Sequence, residues 1–213
     1  QETEPENGAF IRNGRIIFRL DGKETDLIAT SELRIPGKHN IENALCAICL
    51  AMSQGLNAEG VRRGLREFPG VEHRIEFVRE KDGGAWINDS KGTNPDSTIK
   101  AVQAMTRPTI LLLGVGNYDK KSDFAPLFEA FDGKVKAVIA SGLNVPAIKL
   151  AAEKTGYSPV YVNDGPMIDM LKQAEGLAQS GDAVLLSPAA ASWGIYDNYE
   201  QRGEIFKELV NKL

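Results

Sequence analysis

The sequence predicts an α/β protein whose C-terminal part is a mainly parallel, doubly wound sheet. Apolar segments that could be strands fall at about residues 75–79, 85–88, 109–113, 135–140, 158–162 and 183–187, and helical patterns separate most of them. Three of these segments contain ILLL, AVIA or AVLL and are apolar throughout, as are strands covered by helices on both faces. Regular alternation of strand and helix indicates βαβ units, which build such a sheet.

The helices of this part are expected at about residues 95–105, 123–131, 145–155, 165–179 and 199–212. The first has the clearest start, because Asn94 is a preferred N-cap and Pro95 is favoured at the first helical position. Three strands are followed by turns of polar or small residues, which read NDSKGTN, GVGNYDKKSDF and SPAAASWG. Since ligands of such folds bind at the carboxyl ends of the strands, we expect these turns to meet at one edge.

The first 71 residues follow a different pattern. Residues 9–19 alternate around Asn13-Gly14, a strong hairpin signal. Two helices follow, from about Ile41 to Gln54 and from about Ala58 to Phe68, and Pro69-Gly70 ends the second. A hairpin with two helices makes a poor complete domain. We therefore interpret residues 1–71 as the end of a preceding domain and residues 72–213 as a separate one, with a hinge at Pro69-Gly70.

Composition excludes several classes of protein. The 213 residues are 42% hydrophobic and 25% charged, as in a globular protein, and no run approaches the ~20 apolar residues that a membrane helix needs. The formal charge of −4 argues against non-specific nucleic-acid binding, so an anionic ligand would need local positive groups. The polar start QETEPENG has neither region of a signal peptide, and we expect a cytoplasmic chain cut from a longer one.

The two cysteines, Cys46 and Cys49, form a C-x-x-C inside an apolar helical pattern, which indicates core packing. A zinc site would need two more ligands, and the only histidines, His39 and His73, lack that spacing. No metal or redox site is predicted, and the absence of a disulfide framework fits a reducing compartment.

The turn WINDSKGTNP offers several chemical groups at a predicted helix start. Asp89 could accept a hydrogen bond from a hydroxyl-bearing group such as ribose. Lys91 and Thr93 lie just before the helix, whose N-terminus favours a phosphate or carboxylate. The alternative interpretation is a well-capped turn with solvated charges.

Other segments have similarly balanced interpretations. Gly114 and Gly116 resemble a dinucleotide fingerprint, but Asp119 stands where the third glycine belongs. His73-Arg74 could contact a base, ribose or phosphate, or could be a hinge with surface partners. Ser187 and Ser192 flank a small-residue run that a ligand could approach closely, without the spacing of a hydrolase triad.

Five motifs together resemble the muramyl peptide ligases in order and approximate spacing: GKHNIENA, VEHR, WINDSKGTNPDST, LLLGVGNYDKKSDF and LLSPAAASWGIYDNYEQRGEIF. The resemblance covers nearly the whole chain and is strongest to members that add D-glutamate. It implies a three-domain parent with a UDP-binding domain, a central ATPase domain and a Rossmann-like C-terminal domain. Residues 1–71 would then be the end of the central domain.

The resemblance also implies site residues. Those matching nucleotide-binding positions are Asn43, His73, Arg74, Asp89 and Lys91. Those matching positions for D-glutamate are Thr93, Lys120, Ser192, Trp193 and Tyr199. Lys91 and Lys120 would be the catalytic cations. Lys121 is the alternative to Lys120, because the glycine turn, GVGNYDKK, is longer than the corresponding turn usual in the family. Trp193 and Tyr199 stand where one familiar version of the family has Leu and Phe.

The reaction implied by this resemblance transfers the γ-phosphoryl group of ATP to the alanyl carboxylate of UDP-N-acetylmuramoyl-L-alanine. The D-glutamate amine then attacks the acyl phosphate. ATP would require Mg²⁺, whose ligands would lie upstream of these residues. No G-x-x-x-x-G-K-[ST] motif occurs here, so the chain alone should be inactive. We expect a monomer that binds these substrates and neither nucleic acid nor membrane.

Three alternatives remain at this level. A sister muramyl or folylpolyglutamate-type ligase would use the same fold, although the DNPR signature of the diaminopimelate and lysine adders is missing. A nucleotide-binding oxidoreductase is favoured by GVGNYD and by the predicted sheet. A non-catalytic interaction domain is the third.

Overall fold

The computed structural model describes residues 4–35, 37–117 and 121–213. The chain divides into two compact units, one ending at Gly70 and the other beginning at Val71. The assignment of these units to two domains of a longer enzyme stays a prediction. Across the described residues, no helix combines the length and the apolar character needed to cross a lipid bilayer.

The first unit is a three-stranded antiparallel sheet packed against two helices. Its elements are β1 (Gly8–Arg12), β2 (Arg15–Leu20), β3 (Lys23–Ala29), a 3₁₀ turn (Thr30–Glu32), α1 (Lys38–Ser53) and α2 (Ala58–Glu67). The predicted hairpin is present: Asn13 and Gly14 both have positive φ, and Arg12 pairs with Arg15. The core consists of Ile16, Phe18, Leu27, Ile28, Ile48 and Val61.

The cysteines are only partly in this core. Ala44 and Ile48, four residues apart, are the apolar residues that α1 buries. Cys49 is half-buried, and its Sγ accepts a hydrogen bond from Ala9 N at 3.2 Å. Cys46 is exposed. The prediction of core packing is therefore wrong for Cys46, because the buried residues Ala44 and Ile48 each lie two positions away from it, on the other side of α1.

The second unit is a six-stranded sheet with helices on both faces. The sheet has the order β4-β5-β9-β6-β7-β8, and all neighbours are parallel except β4 and β5. The predicted fold class is thus confirmed. The strands are β4 (Glu76–Lys81), β5 (Gly84–Asn88), β6 (Thr109–Leu113), β7 (Val135–Ala140), β8 (Val160–Val162) and β9 (Ala183–Leu186). The helices are α3 (Pro95–Ala104), α4 (Ala125–Glu129), α5 (Val145–Thr155), α6 (Met167–Leu177) and α7 (Tyr199–Lys212).

Alternation along the central strands divides the core into two layers. In β6, Leu111 and Leu113 pack under α3, α4 and α5, whereas Ile110 and Leu112 face α6 and α7. All four side chains are fully buried. A parallel strand covered on both faces must be apolar at every position, which is why these segments read as continuous apolar runs.

The last strand, β9, lies between β5 and β6 in the sheet. The chain passes from β5 through β6 and β7 to β8 in one direction and then returns to insert β9 between β5 and β6. The helices after β5 and β6 cover one face, and the helix after β9 covers the other. This reversal creates a topological switch point beside β9, where open α/β sheets hold ligands.

Candidate functional site

The switch point brings together the three turns that the sequence singled out. In the register of the sheet, Asn88 of β5 and Leu112 of β6 both pair with Leu186 of β9, so the three strands end at the same level. The described residues of the three segments that follow them are 89–94, 114–117 with 121–124, and 187–198. The expectation that these turns share one edge of the sheet agrees with this register.

Asp89 is the buried carboxyl group of this edge. It directly follows β5, its main-chain N donates to Leu186 O at 2.7 Å, and it is only 4% exposed. Its Oδ2 accepts a hydrogen bond from Ser187 Oγ at 2.6 Å, and its Oδ1 accepts one from Ile75 N at 3.2 Å. Two of the four lone-pair sites of the carboxylate are thus occupied by protein donors.

Burial sets the charge state of Asp89. Loss of hydration raises the pKa of Asp89 to about 7, against the lowering effects of the Ser187 and Ile75 hydrogen bonds. The positive charges of Arg74 and Arg202 also lower it. Asp89 therefore changes its protonation state near neutral pH, which is a property of groups at functional sites.

Lys91 is held against the aromatic ring of Tyr199 at the start of α7. Its Nζ lies 5.2 Å from the ring centroid and 3.4 Å from the Tyr199 hydroxyl. Its main-chain N donates to His73 O at 3.0 Å. A cation over an aromatic face is held by the ring quadrupole, so Tyr199 positions this ammonium group.

Thr93 and the start of α3 complete this turn. Thr93 is half-buried, and its main-chain N donates to Lys91 O at 2.8 Å. Asn94 caps the helix through a hydrogen bond from Ser97 N to its Oδ1 at 2.9 Å, and Pro95 is the first helical residue. The predicted helix start is therefore correct, and the turn places Lys91 and Thr93 immediately before it.

His73 is buried, at 4% exposure, against α7. Its Nδ1 lies 3.0 Å from Asn88 Nδ2. Because an amide nitrogen only donates, Nδ1 accepts, and the ring proton is on Nε2, 3.6 Å from Glu204 Oε1. The ring also meets Tyr199 edge to face, with the centroids 6.1 Å apart. Gly203 allows this fit, since a β-carbon there would lie 2.2 Å from Nδ1.

Arg74 differs from its neighbour. It is exposed, and its charge contributes to the electrostatics of Asp89. The two residues of the predicted His73-Arg74 pair therefore have different environments, one packed inside the second unit and one available at its surface.

The segment after β9 contributes Ser192 and Trp193. Ser192 is 2% exposed, and Trp193 is 54% exposed. The Trp193 carbonyl accepts a hydrogen bond from Asn117 N at 3.0 Å, which ties this segment to the one after β6. The backbone approach is closest at Gly116, where an added β-carbon would lie 2.1 Å from Ala191 O.

Gly114 is likewise required by packing. It has φ +83°, and a β-carbon there would lie 1.9 Å from Ser141 O. These two glycines are explained by close contacts between segments, so they need no dinucleotide to account for them. The predicted residues Asp119 and Lys120 lie outside the described residues. Lys121, the alternative to Lys120, is exposed.

Asn43 belongs to the first unit. It is an exposed residue of α1, and its Nδ2 donates to Asn40 Oδ1 at 3.4 Å. The structure thus places nine of the ten predicted site residues, eight of them in the second unit.

Sequence reasoning missed Arg202, a buried cation behind the turns. Its side chain is fully buried, and burial lowers the pKa of Arg202 to about 10. It donates to Ser90 Oγ at 2.9 Å, Ser90 O at 2.8 Å, Val115 O at 3.0 Å and Ala190 O at 3.1 Å. These acceptors belong to all three segments, so one guanidinium group holds the site together. Its position four residues before Phe206, on the apolar stripe of α7, was the available signal.

The described residues do not fit the Mg²⁺ that the family resemblance implies. Among them, the group of metal-ligand side chains with neighbouring ligand atoms is Glu72, His73 and Glu204. Lys207 Nζ already forms ion pairs there, at 2.5 Å from Glu72 and 2.8 Å from Glu204. Mg²⁺ favours oxygen ligands and water, and here an ammonium group neutralises the carboxylates.

Residues 73–190 match the family model described as Mur ligase, glutamate ligase domain. The chain is 45% identical over 209 residues to the UDP-N-acetylmuramoylalanine--D-glutamate ligase of Thermoanaerobacter sp. (strain X514), covering 98% of this chain and 46% of that protein. It is also 45% identical to the ligase of the same name from Alkaliphilus metalliredigens, covering 98% of this chain and 45% of that protein. The chain thus spans less than half the length of these relatives.

Solved structures agree on the fold. The UDP-N-acetylmuramate-alanine ligase MurC of Thermotoga maritima matches with a TM-score of 0.66 and 17% identity, over 93% of this chain and 44% of that one. A pseudomurein peptide ligase type C from Methanothermus fervidus gives a TM-score of 0.66 at 18% identity, over 100% of this chain and 43% of that one. At these identities the likeness concerns the fold alone.

Proposed function

The chain belongs to the Mur ligase family, and from this premise we propose that it is the C-terminal part of an ATP-dependent ligase that adds D-glutamate to UDP-N-acetylmuramoyl-L-alanine in peptidoglycan synthesis. The observation that carries the proposal is 45% identity, over 98% of this chain, to relatives named for that product. Family membership leaves the oxidoreductase and interaction-domain alternatives without support.

The two units would correspond to two domains of that ligase. Residues 1–71 would be the end of the central ATP-binding domain, and residues 72–213 the C-terminal ligase domain. The division of the chain between Gly70 and Val71 supports this boundary. We propose that the full protein acts as a cytoplasmic monomer.

The proposed reaction has two steps. The γ-phosphoryl group of ATP passes to the alanyl carboxylate, giving an acyl phosphate and ADP. The amine of D-glutamate attacks the acyl carbon, phosphate leaves, and the amine loses a proton as the amide forms. Both steps need positive charge near the phosphoryl group, and the second step also needs an aligned amine.

On the nucleotide side, we assign Asn43, His73, Arg74, Asp89 and Lys91. Asp89 would accept a hydrogen bond from a ribose hydroxyl, since its Oδ1 keeps a lone pair. Lys91, which Tyr199 holds before the N-terminus of α3, would neutralise phosphate charge. His73 is too buried for broad contact with the nucleotide. It would act mainly through its main-chain carbonyl, which accepts the hydrogen bond from Lys91 N.

On the amino-acid side, we assign Thr93, Lys120, Ser192, Trp193 and Tyr199. The D-glutamate carboxylates would need the cation of Lys120 and the hydroxyl groups of Thr93 and Ser192. Trp193 and Tyr199 would form the apolar walls of the D-glutamate pocket. Lys91 and Lys120 are the proposed catalytic residues, since both would stabilise charge that develops during phosphoryl and acyl transfer.

The test uses the full-length ligase and follows ADP release with different amino acids. Release that depends on UDP-N-acetylmuramoyl-L-alanine and D-glutamate is expected, and equal or greater release with L-alanine or L-lysine would show a sister ligase instead. Lys91→Ala should abolish most of this release, whereas Lys100→Ala, an exposed lysine on α3, should leave it unchanged.

Asp89→Ala tests the nucleotide assignment. It should weaken ATP binding more than D-glutamate binding, because a hydrogen bond to a charged acceptor contributes about 1–3 kcal/mol. Asp164→Ala, at an exposed aspartate, is the matched control. Equal weakening of both ligands by Asp89→Ala would show that the assignment is wrong.

A further inference from the structure

Two buried hydroxyl groups lie behind the carboxylate of Asp89. Ser187, the first residue after β9, and Thr98, on α3, are both fully buried. Ser187 Oγ lies 2.6 Å from Asp89 Oδ2 and 2.9 Å from Thr98 Oγ1. Ser187 thus meets Asp89 and Thr98, which lie 98 and 89 positions earlier in the sequence, in one chain of hydrogen bonds.

The direction of these hydrogen bonds follows from the number of hydrogens. An ionised carboxylate only accepts, so the single hydroxyl hydrogen of Ser187 goes to Asp89. The Thr98 hydroxyl must then be the donor toward Ser187 Oγ. The Ser187 carbonyl oxygen, 3.3 Å from Thr98 Oγ1, competes for the same hydrogen at a longer distance than Ser187 Oγ. Thr98 therefore orients Ser187, and Ser187 orients Asp89.

The backbone at Gly92 covers this arrangement on the other side. A β-carbon at Gly92 would lie 2.5 Å from Ser187 Oγ and 2.6 Å from Asp89 Oδ2. Oδ2 is thus committed to the interior. Oδ1, whose protein contact is the longer one from Ile75 N at 3.2 Å, is the oxygen that can serve a ligand.

We propose that Ser187 and Thr98 are positioning residues for Asp89: they fix Oδ2 in the interior so that Oδ1 is presented, ionised, to a ribose hydroxyl of the nucleotide. The ligand part of this inference rests on the function proposed above. Neither hydroxyl group touches the nucleotide. Without them the carboxyl group is free to rotate and takes up a proton more readily, since burial already disfavours its charge.

The charged groups that face Asp89 are Arg74, from the segment before β4, and Arg202, from α7. Both favour the ionised carboxyl group, and neither is changed in the variants below. A shift in the titration of Asp89 in these variants therefore reports the hydroxyl groups.

The first experiment titrates Asp89 in the 213-residue chain by ¹³C NMR of the aspartate carboxyl groups, with Asp89→Asn to identify its signal. Ser187→Ala should raise the titration midpoint by about one pH unit, because a hydrogen bond to a charged group is lost. Thr98→Val should raise it less, and Thr98→Ser, which keeps the hydroxyl, should restore the wild-type value. Ser180→Ala, at an exposed serine, should not change it.

An unchanged midpoint in both Ser187→Ala and Thr98→Val overturns the proposal. If Ser187→Ala does not fold, the result for Thr98→Val decides alone.

The second experiment measures the pH dependence of KM for ATP in the full-length ligase. With the midpoint raised by one unit, the ionised fraction of Asp89 at pH 7 falls from about one half to about one tenth, so KM should rise about fivefold. The difference should vanish near pH 9, and kcat should stay constant. A rise in KM that is equal at all pH values would indicate a merely structural role. If Asp89→Ala leaves ATP affinity intact while the NMR shift is present, the ribose contact is wrong and the positioning of Asp89 stands.

Discussion

Gly203 of α7 lies directly against the imidazole of His73, so that a β-carbon at residue 203 would fall 2.2 Å from Nδ1. His73 is itself in an unusual backbone conformation, with φ +62°. The ring thus fills the space that any other residue at position 203 would occupy. Because the His73 carbonyl accepts the Lys91 N–H, this contact also supports the position of Lys91.

Gly203→Ala should therefore destabilise the second unit, although the same change in a helix usually stabilises by about 0.5–1 kcal/mol. Displacement of the buried imidazole should cost about 1–3 kcal/mol. Gly176→Ala in α6 is the matched control, since a β-carbon there meets no atom within 4 Å. Urea unfolding of both variants checks the prediction. A gain of stability in both would contradict it.

Asp89→Asn should change how stability depends on pH. The pKa of Asp89 is raised to about 7 in the folded chain, from an ordinary value of 3.8. Between these values the folded state binds one proton more than the unfolded state, so stability falls as pH rises from about 4 to 7. The variant lacks this proton. The difference in unfolding free energy between wild type and variant, measured by urea unfolding, should therefore decline over this window and level off above it. A flat difference would show that Asp89 is not perturbed.

Arg202→Lys should cost several kcal/mol of unfolding free energy. A lysine cannot reproduce the fork of hydrogen bonds to three segments, and each buried acceptor left without a donor costs about 1–3 kcal/mol. Arg107→Lys is the matched control, because the ion pair of Arg107 with Glu80 is long, at 3.6 Å, and half-exposed. That change should stay within about 0.5 kcal/mol. Comparable losses in the two variants, measured by thermal and urea unfolding, would argue against the role given to Arg202.

Residues 71–213 should fold without the first unit. They contain the complete six-stranded sheet and both apolar layers. Circular dichroism and urea unfolding of this segment should show one cooperative transition. Residues 71–198, which lack α7 and with it Arg202 and Phe206, should not give such a transition. Failure of the longer segment to fold would place the domain boundary elsewhere.

The regular elements could be predicted because their signals are local. Strands buried on both faces are continuous apolar runs in the sequence. The start of α3 is indicated by its N-cap, Asn94, and by Pro95 at the first helical position. The sequence pattern does not indicate β3, because the first half of this strand, KETD, is polar. Its turn at Asp21-Gly22, where both residues have positive φ, carries the same signal as the hairpin that was found.

The site was only partly predictable, because its contacts join residues far apart in the chain. The small-residue run beside Ser187 indicates that a ligand could approach it, but its partners Asp89 and Thr98 are 98 and 89 positions away. Arginine is rarely buried without partners, so the residue type of Arg202 does not by itself indicate an interior position. Its partners are mostly main-chain carbonyl oxygens, which leave no mark on the sequence.

The insertion of β9 between β5 and β6 determines when the site can form during synthesis of the chain. While the ribosome has made only β4 to β8, the facing edges of β5 and β6 have no partner, and the sheet exists as two separate parts. Contacts of such long sequence separation form late in folding, and unpaired strand edges are prone to aggregation until then. A nascent chain that has reached the glycine turn therefore still lacks the strand that joins this turn to Asp89. We expect the second unit to fold after β9 has emerged, as a single event.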